Sequence, residues 1–482
     1  MRRARLLSGL AVALLAAGCK VGPDYTPATA PTAPAFKELA GWKPSQPRDG
    51  IDRGAWWSVY DDADLDRLER LVAISNQTVR QAEAAYREAV ALTQEAQSAL
   101  LPTLTLAPGV TRSKNSSGSG SFTGLRTQYT AEGSASWTID VWGKLRRQVE
   151  SQSAAAQASA ADLANAKLSA QAALATAYFE LRGADSLERL LSDTVDEYRR
   201  ALAIAQNQYD AGTASRADVL AADVQLQSTI ASLIAVGVAR AQYEHAIAVL
   251  TGQPPADLTL AAAALAGDVP VVPVDVPSAL LERRPDIAAA ERTMQEQNAL
   301  IGVAIAGYYP EVTLSAAFGF AGNPLSKLFS AADQVWSLGA AAGETLYPGG
   351  YQGAAVAAAR AAYDQAVASY RQTVLTAFQQ VEDELSDLRV LQQQATAEET
   401  TVAAARRAVD VTLNEYRAGT VAYTSVITEQ TALLSAEQAA LTVRQSRLVA
   451  SVALIQAIGG GWQAAALPRP ASEFLPAALS PD

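Results

Sequence analysis

Two long stretches of this sequence contain no proline. After Pro108 the next is Pro254, and after Pro348 the next is Pro468, in a chain of 482 residues that holds 21 prolines. Proline inside a helix costs ~3 kcal/mol, because it removes a backbone donor and clashes with the preceding turn. Two such gaps predict long helices. At ~1.5 Å per residue a helix of about 70 residues is ~100 Å long, far more than a compact domain needs. The helices are expected to form a column.

The two gaps also resemble each other. A shift of 207 residues lays Asn207-Gln208-Tyr209-Asp210-Ala211-Gly212-Thr213 on Asn414-Glu415-Tyr416-Arg417-Ala418-Gly419-Thr420. The same shift pairs Thr138 with Thr345, Gly143 with Gly350, Leu181-Arg182 with Leu388-Arg389 and Gly252 with Gly459; a shift of 208 pairs Pro102 with Pro310 and Ala82 with Ala290. A tandem duplication over roughly residues 64–460 follows. Its first repeat is expected at 62–253, a proline-rich joint at 254–277, the second repeat at 278–460, and a C-terminal segment at 461–482. Helical patterning covers 62–101, 143–211 and 213–252, then 278–308, 350–418 and 420–459. Val195, Tyr198, Leu202, Ala205 and Tyr209 are spaced alternately by three and four, as are their repeat partners Val402, Ala405, Val409, Thr412 and Tyr416. That spacing is coiled-coil packing, and 13 alanines among residues 151–181 permit close helix approach.

Between the helices the period drops to two. Tyr129, Ala131, Gly133, Ala135, Trp137 and Ile139 alternate with Gln128, Thr130, Glu132, Ser134, Ser136 and Thr138, and Val312, Leu314, Ala316, Phe318 and Phe320 alternate in the second repeat. With weaker partners at 103–111 and 335–346, each repeat holds one hairpin, at about 103–139 and 310–346. Strands of ~10 residues with one apolar and one small-polar face suit a transmembrane β-barrel. Soluble hairpins packed on a core fit the local pattern equally well. Counting adds a constraint: two hairpins give four strands, and a barrel needs at least ~8 to close, so strands in lipid require several chains. Trp137, Trp142 and Trp336 lie at or near strand ends, as an aromatic girdle or as packing at the junction with the helices.

The N-terminus reads as an export signal over 1–18: Arg2, Arg3 and Arg5, then an apolar run from Leu6 to Ala17, too short to span a bilayer. Cys19, the only cysteine, stands at the cleavage point of a lipobox in which Ala16 occupies the position usually held by Leu. Loss of the leader's three arginines takes the formal charge from −11 to −14. Cys19 is the expected lipidation site, heading an extended proline-rich segment and equatorial region over 19–61. The negative charge argues against nucleic-acid binding. One Cys, one His and two Met leave little for a metal centre or disulfide framework, and neither cofactor nor metal is expected. His245 sits inside a helical stretch, and no Gly-x-Ser-x-Gly elbow, P-loop or His-Glu-x-x-His is present, so no enzyme is expected.

Assembled in order, several strings make the chain resemble the NodT-type lipoprotein branch of the TolC-like outer-membrane efflux family. They are Cys19-Lys20-Val21-Gly22-Pro23-Asp24-Tyr25, Trp56-Trp57 before Asp61-Asp62, Arg284-Pro285-Asp286-Ile287, Ala299-Leu300-Ile301-Gly302-Val303-Ala304, and Gly459-Gly460-Gly461-Trp462. The resemblance implies an α+β membrane protein: a long antiparallel α-helical coiled-coil barrel below a transmembrane β-barrel, with four strands per chain and twelve in a homotrimer. It implies a passive exit duct in the Gram-negative outer membrane, held in outer-membrane lipid and joined by a periplasmic adaptor to an inner-membrane RND-type transporter. It also implies a gate where the helical hairpins turn, at Gly212 and Gly419, with Tyr209, Arg216, Asp218 and Tyr416 at matching positions. Where relatives often carry aspartates in the second repeat, this chain has Ser425 and Thr428, so Glu429, Asp218 or Asp223 is left to supply aperture charge. Two other readings stay open, the exit channel of a type I secretion system and a periplasmic coiled-coil structural lipoprotein.

Overall fold

A computed structural model describes residues 20–30, 33, 35–38, 55–114, 125–267, 269–270, 283–462 and 467–468. In chain order these form α1 (Ala63–Ser75), α2 (Gln77–Ser98), β1 (Thr103–Lys114), β2 (Leu125–Ile139), α3 (Lys144–Asp210) and α4 (Arg216–Leu250). There follow α5 (Pro285–Ala306), β3 (Glu311–Gly322), β4 (Gln334–Gly343), α6 (Tyr351–Arg417) and α7 (Tyr423–Ala457). The duplication is visible in the backbone. Helices α3 and α6 are 67 residues each, and α4 and α7 are 35 each. Their first residues lie 207 apart, 144 against 351 and 216 against 423.

The turns repeat as well. After α3 the Gly212 amide donates to the Tyr209 carbonyl and the Thr213 amide to the Gln208 carbonyl; after α6, Gly419 and Thr420 do the same to Tyr416 and Glu415. This closure needs a left-handed residue at the turn, and Gly212 and Gly419 supply φ of 75° and 72°.

The first helical stretch is two helices. Asn76, at φ −61° and ψ 125°, ends α1 and caps α2, its side chain accepting from the Val79 amide. Its Nδ2 donates to the Leu250 carbonyl at 2.8 Å, which ties the break to the end of α4. An asparagine that satisfies both a helix start and a neighbouring helix end outweighs uninterrupted apolar spacing.

The largest core lies at mid-height. There Trp56, Leu65, Leu68, Leu174, Tyr178, Leu181, Val374, Val381, Leu385, Leu454 and Ile455 are buried together. Toward the far end of the column the core thins to small clusters, first Val195, Tyr198 and Leu226, then Ala205, Ala222, Tyr423 and Val426.

The described residues between 20 and 38 of the proline-rich N-terminal segment are docked on the helices. Arg147, wholly buried, donates to the carbonyls of Val21 and Gly22 and to the carboxylates of Asp24 and Glu150. Asn298 on α5 donates to the Pro23 carbonyl and Tyr25 to Glu291. Lower down, Glu382 on α6 accepts from the amides of Lys37 and Glu38, and Arg389 pairs with Glu38 at 2.6 Å. Prolines leave this stretch extended with carbonyls unspent, and buried cationic and amide donors on the helices collect them.

Candidate functional site

The strands form one antiparallel sheet in the order β1-β2-β3-β4. Its register puts Leu104 opposite Ala135, Trp137 opposite Leu314, and Phe318 opposite both Gly133 and Trp336. One face therefore carries Leu104, Leu106, Val110, Trp137, Leu314, Phe318, Trp336 and Leu338. The other carries Thr105, Thr130, Ser134, Ser136, Thr313, Ser315 and Ser337, with Glu132 among them, opposite Ala107 and Gly319. The apolar face meets no core: Leu104, Leu106 and Leu338 are 78%, 76% and 76% exposed, and Trp336 71%. An exposed apolar face over a small-polar one is the pattern of a sheet with lipid outside and water inside.

Both outer edges of the sheet, along β1 and β4, are unpaired. In hydrocarbon each unsatisfied backbone group costs several kcal/mol, so such edges must find strands.

The three tryptophans take different places. Trp137 faces the apolar side two residues from the helix-side end of β2, its Nε1 donating to the Leu100 carbonyl at 2.9 Å. Trp336 lies two residues from the end of β4 that is away from the helices. Trp142 is past the strand, half-buried, stacked on Tyr309 at 4.7 Å and donating to the Pro310 carbonyl. It packs the junction between sheet and helices.

Cys19 lies outside the described residues. Its neighbour Lys20 sits against Gly143, at the same junction, with Nζ bound to Glu150, and the Val21 amide donates to the Trp142 carbonyl.

At the opposite end of the column the two hairpin turns meet. Tyr416 donates from its hydroxyl to Gln208 Oε1, joining the second turn to the first, and its ring lies 5.1 Å from that of Tyr423. Partial burial and the charge of Asp218 push the Tyr416 hydroxyl above its usual range, and burial raises Tyr423 to about 12. Asp218 caps its own helix: its carboxylate accepts from the Ser215 amide and hydroxyl, and the Ser215 hydroxyl oxygen accepts from the Asp218 amide. Asp223 accepts from Gln227 and Thr428 donates to the Thr424 carbonyl, both within one helix. Arg216 and Tyr209 are exposed, Arg216 makes no ion pair among the described residues, and Glu429 is half-buried. Of the sequence candidates only Tyr416 bonds across the turns. Gln208 is its partner, and it sits inside the repeated Asn-x-Tyr string where repetition alone marked it.

A stripe along α4 is also exposed, with Leu220, Val224, Ile234, Val238 and Val249 between 54% and 71% accessible. By length and composition α4 is apolar enough to cross a membrane, but it runs antiparallel beside α3 within the helical column.

The outer membrane efflux protein family model matches residues 70–253 and 276–460. The probable efflux pump outer membrane protein TtgC of Pseudomonas putida is 28% identical over 467 residues, 95% of this chain and 96% of its own. The cation efflux system protein CusC of Escherichia coli is 25% identical over 462 residues, 94% of this chain and 98% of its own. Among solved structures, the outer-membrane channel OprN superposes with a TM-score of 0.86 at 31% identity, over 92% of this chain and all of its own. The MtrE channel of Neisseria gonorrhoeae, in its open state, shares the fold at 24% identity with a TM-score of 0.83, over 92% of this chain and 99% of its own. With both repeats matched, an exposed apolar sheet face and a paired-helix column, the chain belongs to the family of outer membrane efflux proteins.

Proposed function

We propose that this chain is one third of a closed outer-membrane duct through which a tripartite pump expels small molecules. The observation that carries the reading is the four-stranded sheet with two bare edges, an apolar outer face and a polar inner one. Three copies joined edge to edge make twelve strands, enough to close a barrel around an aqueous lumen. The uncovered apolar stripe of α4 supports the same assembly, since a neighbouring copy would bury it.

In this reading the duct is passive. A periplasmic adaptor and an inner-membrane RND-type transporter supply cargo choice and energy. Relatives carry names that refer to toluene, pyoverdine and cations. One architecture thus serves chemically unlike cargo, which fits selection upstream of the duct.

The tip where α3–α4 and α6–α7 turn is the proposed gate. The Tyr416–Gln208 bond tethers the turns, Tyr209, Arg216 and Glu429 are left for contacts with neighbouring copies, and Asp218 and Asp223 are candidate aperture charges. Lipidation at Cys19 is supported by its neighbour Lys20, which sits at the sheet–helix junction, where an acyl chain on Cys19 would be within reach of the inner leaflet.

The test is the detergent-corrected mass in solution, followed by conductance in planar bilayers. Three chains of 50.4 kDa each that conduct are expected. A stable folded monomer would sink the duct. Neutralising Asp218 and Asp223 together should change cation selectivity if they line the aperture; unchanged selectivity removes them from it.

A further inference from the structure

The β1–β2 hairpin outruns the rest of the sheet. Strand β3 ends at Gly322, opposite Tyr129, so Leu125–Gln128 pair with β1 alone. This projecting flap reverses the charge of its surroundings. The chain carries a formal charge of −11, yet between Glu95 and Glu132 there is no acidic residue, and all three charges are cations: Arg112, Lys114 and Arg126.

Register separates them. Arg112 and Lys114 continue the even-numbered face of Leu104, Leu106 and Val110, opposite Thr127 and Leu125, whereas Arg126 falls on the polar face. Arg112 and Lys114 are exposed and form no ion pair among the described residues. At ~3.3 Å per residue, Lys114 stands ~13 Å beyond Val110, just past the apolar belt and at the end of the sheet away from the helices.

We propose that Arg112 and Lys114 grip the phosphate groups of outer-leaflet lipid headgroups, so that the flap is an anionic-lipid clamp on the barrel rim. The proposal rests on the membrane placement of the sheet. Its two supports are continuity with the lipid-facing belt and charge complementarity. Guanidinium binds phosphate oxygens in a two-pronged geometry, and Lys adds a point charge. Free anions have no reason to prefer the outward face, whereas lipid headgroups lie against it.

The full-length protein would be inserted in phosphatidylcholine vesicles doped either with a phosphorylated glucosamine-based lipid or with its dephosphorylated form. Lipid retained per inserted chain is then measured after detergent extraction and gel filtration. Wild type should prefer the phosphorylated lipid roughly thirtyfold at low salt, about 2 kcal/mol for two cations, and less as salt rises. Arg112→Gln/Lys114→Gln should lose the preference, while Arg112→Lys/Lys114→Arg and Arg126→Gln should keep most of it. Preference retained in the double Gln variant overturns the proposal, as does equal loss in Arg126→Gln. Displacement by millimolar inorganic phosphate overturns it in favour of a free-anion site. Flotation reports insertion separately: protein that fails to enter vesicles overturns the membrane placement and this clamp with it.

Discussion

A methyl group on Gly22 would stand 2.5 Å from Cα of Gly302. The N-terminal segment and α5 touch backbone to backbone there, and a methyl group on Gly302 would in turn stand 2.8 Å from Nε of Arg147. Gly22 also holds φ of 90°, which side chains disfavour by roughly 1–2 kcal/mol. Gly22→Ala and Gly302→Ala should each detach the segment from the helices. Faster proteolytic release of residues near 20–38, with a lowered Tm, is the expected reading.

Arg147 is the donor around which that docking is built. Its removal takes the donor from the Val21 and Gly22 carbonyls and breaks its ion pairs with Asp24 and Glu150, so Arg147→Met should cost on the order of 3 kcal/mol. Lys cannot reproduce the fork geometry, and Arg147→Lys should recover only a minor part. Chemical unfolding of both variants checks the order.

The two hairpin turns, alike in backbone, differ in their caps. Helix α4 opens with the Ser215–Asp218 capping box, whereas α7 opens at Ala422 with no side-chain cap. Ala422→Ser should stabilise the second turn by about 1 kcal/mol and Ser215→Ala should weaken the first by a similar amount. Amide exchange at the first turns of α4 and α7 should be slowed in one variant and quickened in the other; no change at Ala422→Ser would mean that the turn is held by other contacts.

Neighbouring positions on β1 should respond oppositely to charge. Leu106 lies on the apolar face and Thr105 on the polar one. Leu106→Lys should cost about 2–4 kcal/mol in a bilayer and cut the folded fraction recovered in vesicles, while Thr105→Lys should insert normally. Equal loss in both would remove the lumen from the Thr105 side.

Glu69 on α1 is wholly buried, and among the described residues neither carboxylate oxygen has a hydrogen-bond partner. Burial lifts its pKa from 4.5 to about 9. The folded state therefore binds a proton that the unfolded chain releases between those values, and stability falls as pH climbs from about 4.5 toward 9. Glu69→Gln fixes the uncharged form. It should raise Tm near pH 8, by a few kcal/mol in stability, and change little near pH 4. Thermal melts of both proteins across that range decide it.

The long helices, the strand faces and the duplication are legible because each is a periodicity: proline gaps, a period of two, and a shift of 207 that recurs at 144 and 351. The break at Asn76 is not, since what ends the helix is a bond to the Leu250 carbonyl, 174 residues away. Arg147 is hidden for the same reason: its acceptors are backbone carbonyls more than a hundred residues earlier. At the tip, Asp218 reads in the sequence as an aperture charge, and the fold adds a second use that the sequence hides, the cap it forms with Ser215. Gln208 carries no charge and no periodicity, and only the meeting of the two turns shows its use.

The bare margins of the sheet have a consequence for biogenesis. In the proposed duct, strand β1 of one copy joins β4 of the next, two unlike margins, so the contact is head-to-tail and closes by rotation. In that assembly no single chain owns a finished wall, so insertion would be coupled to association and would quicken with local abundance. A subunit damaged along either margin would spoil every ring it enters, making such alleles dominant over a healthy copy.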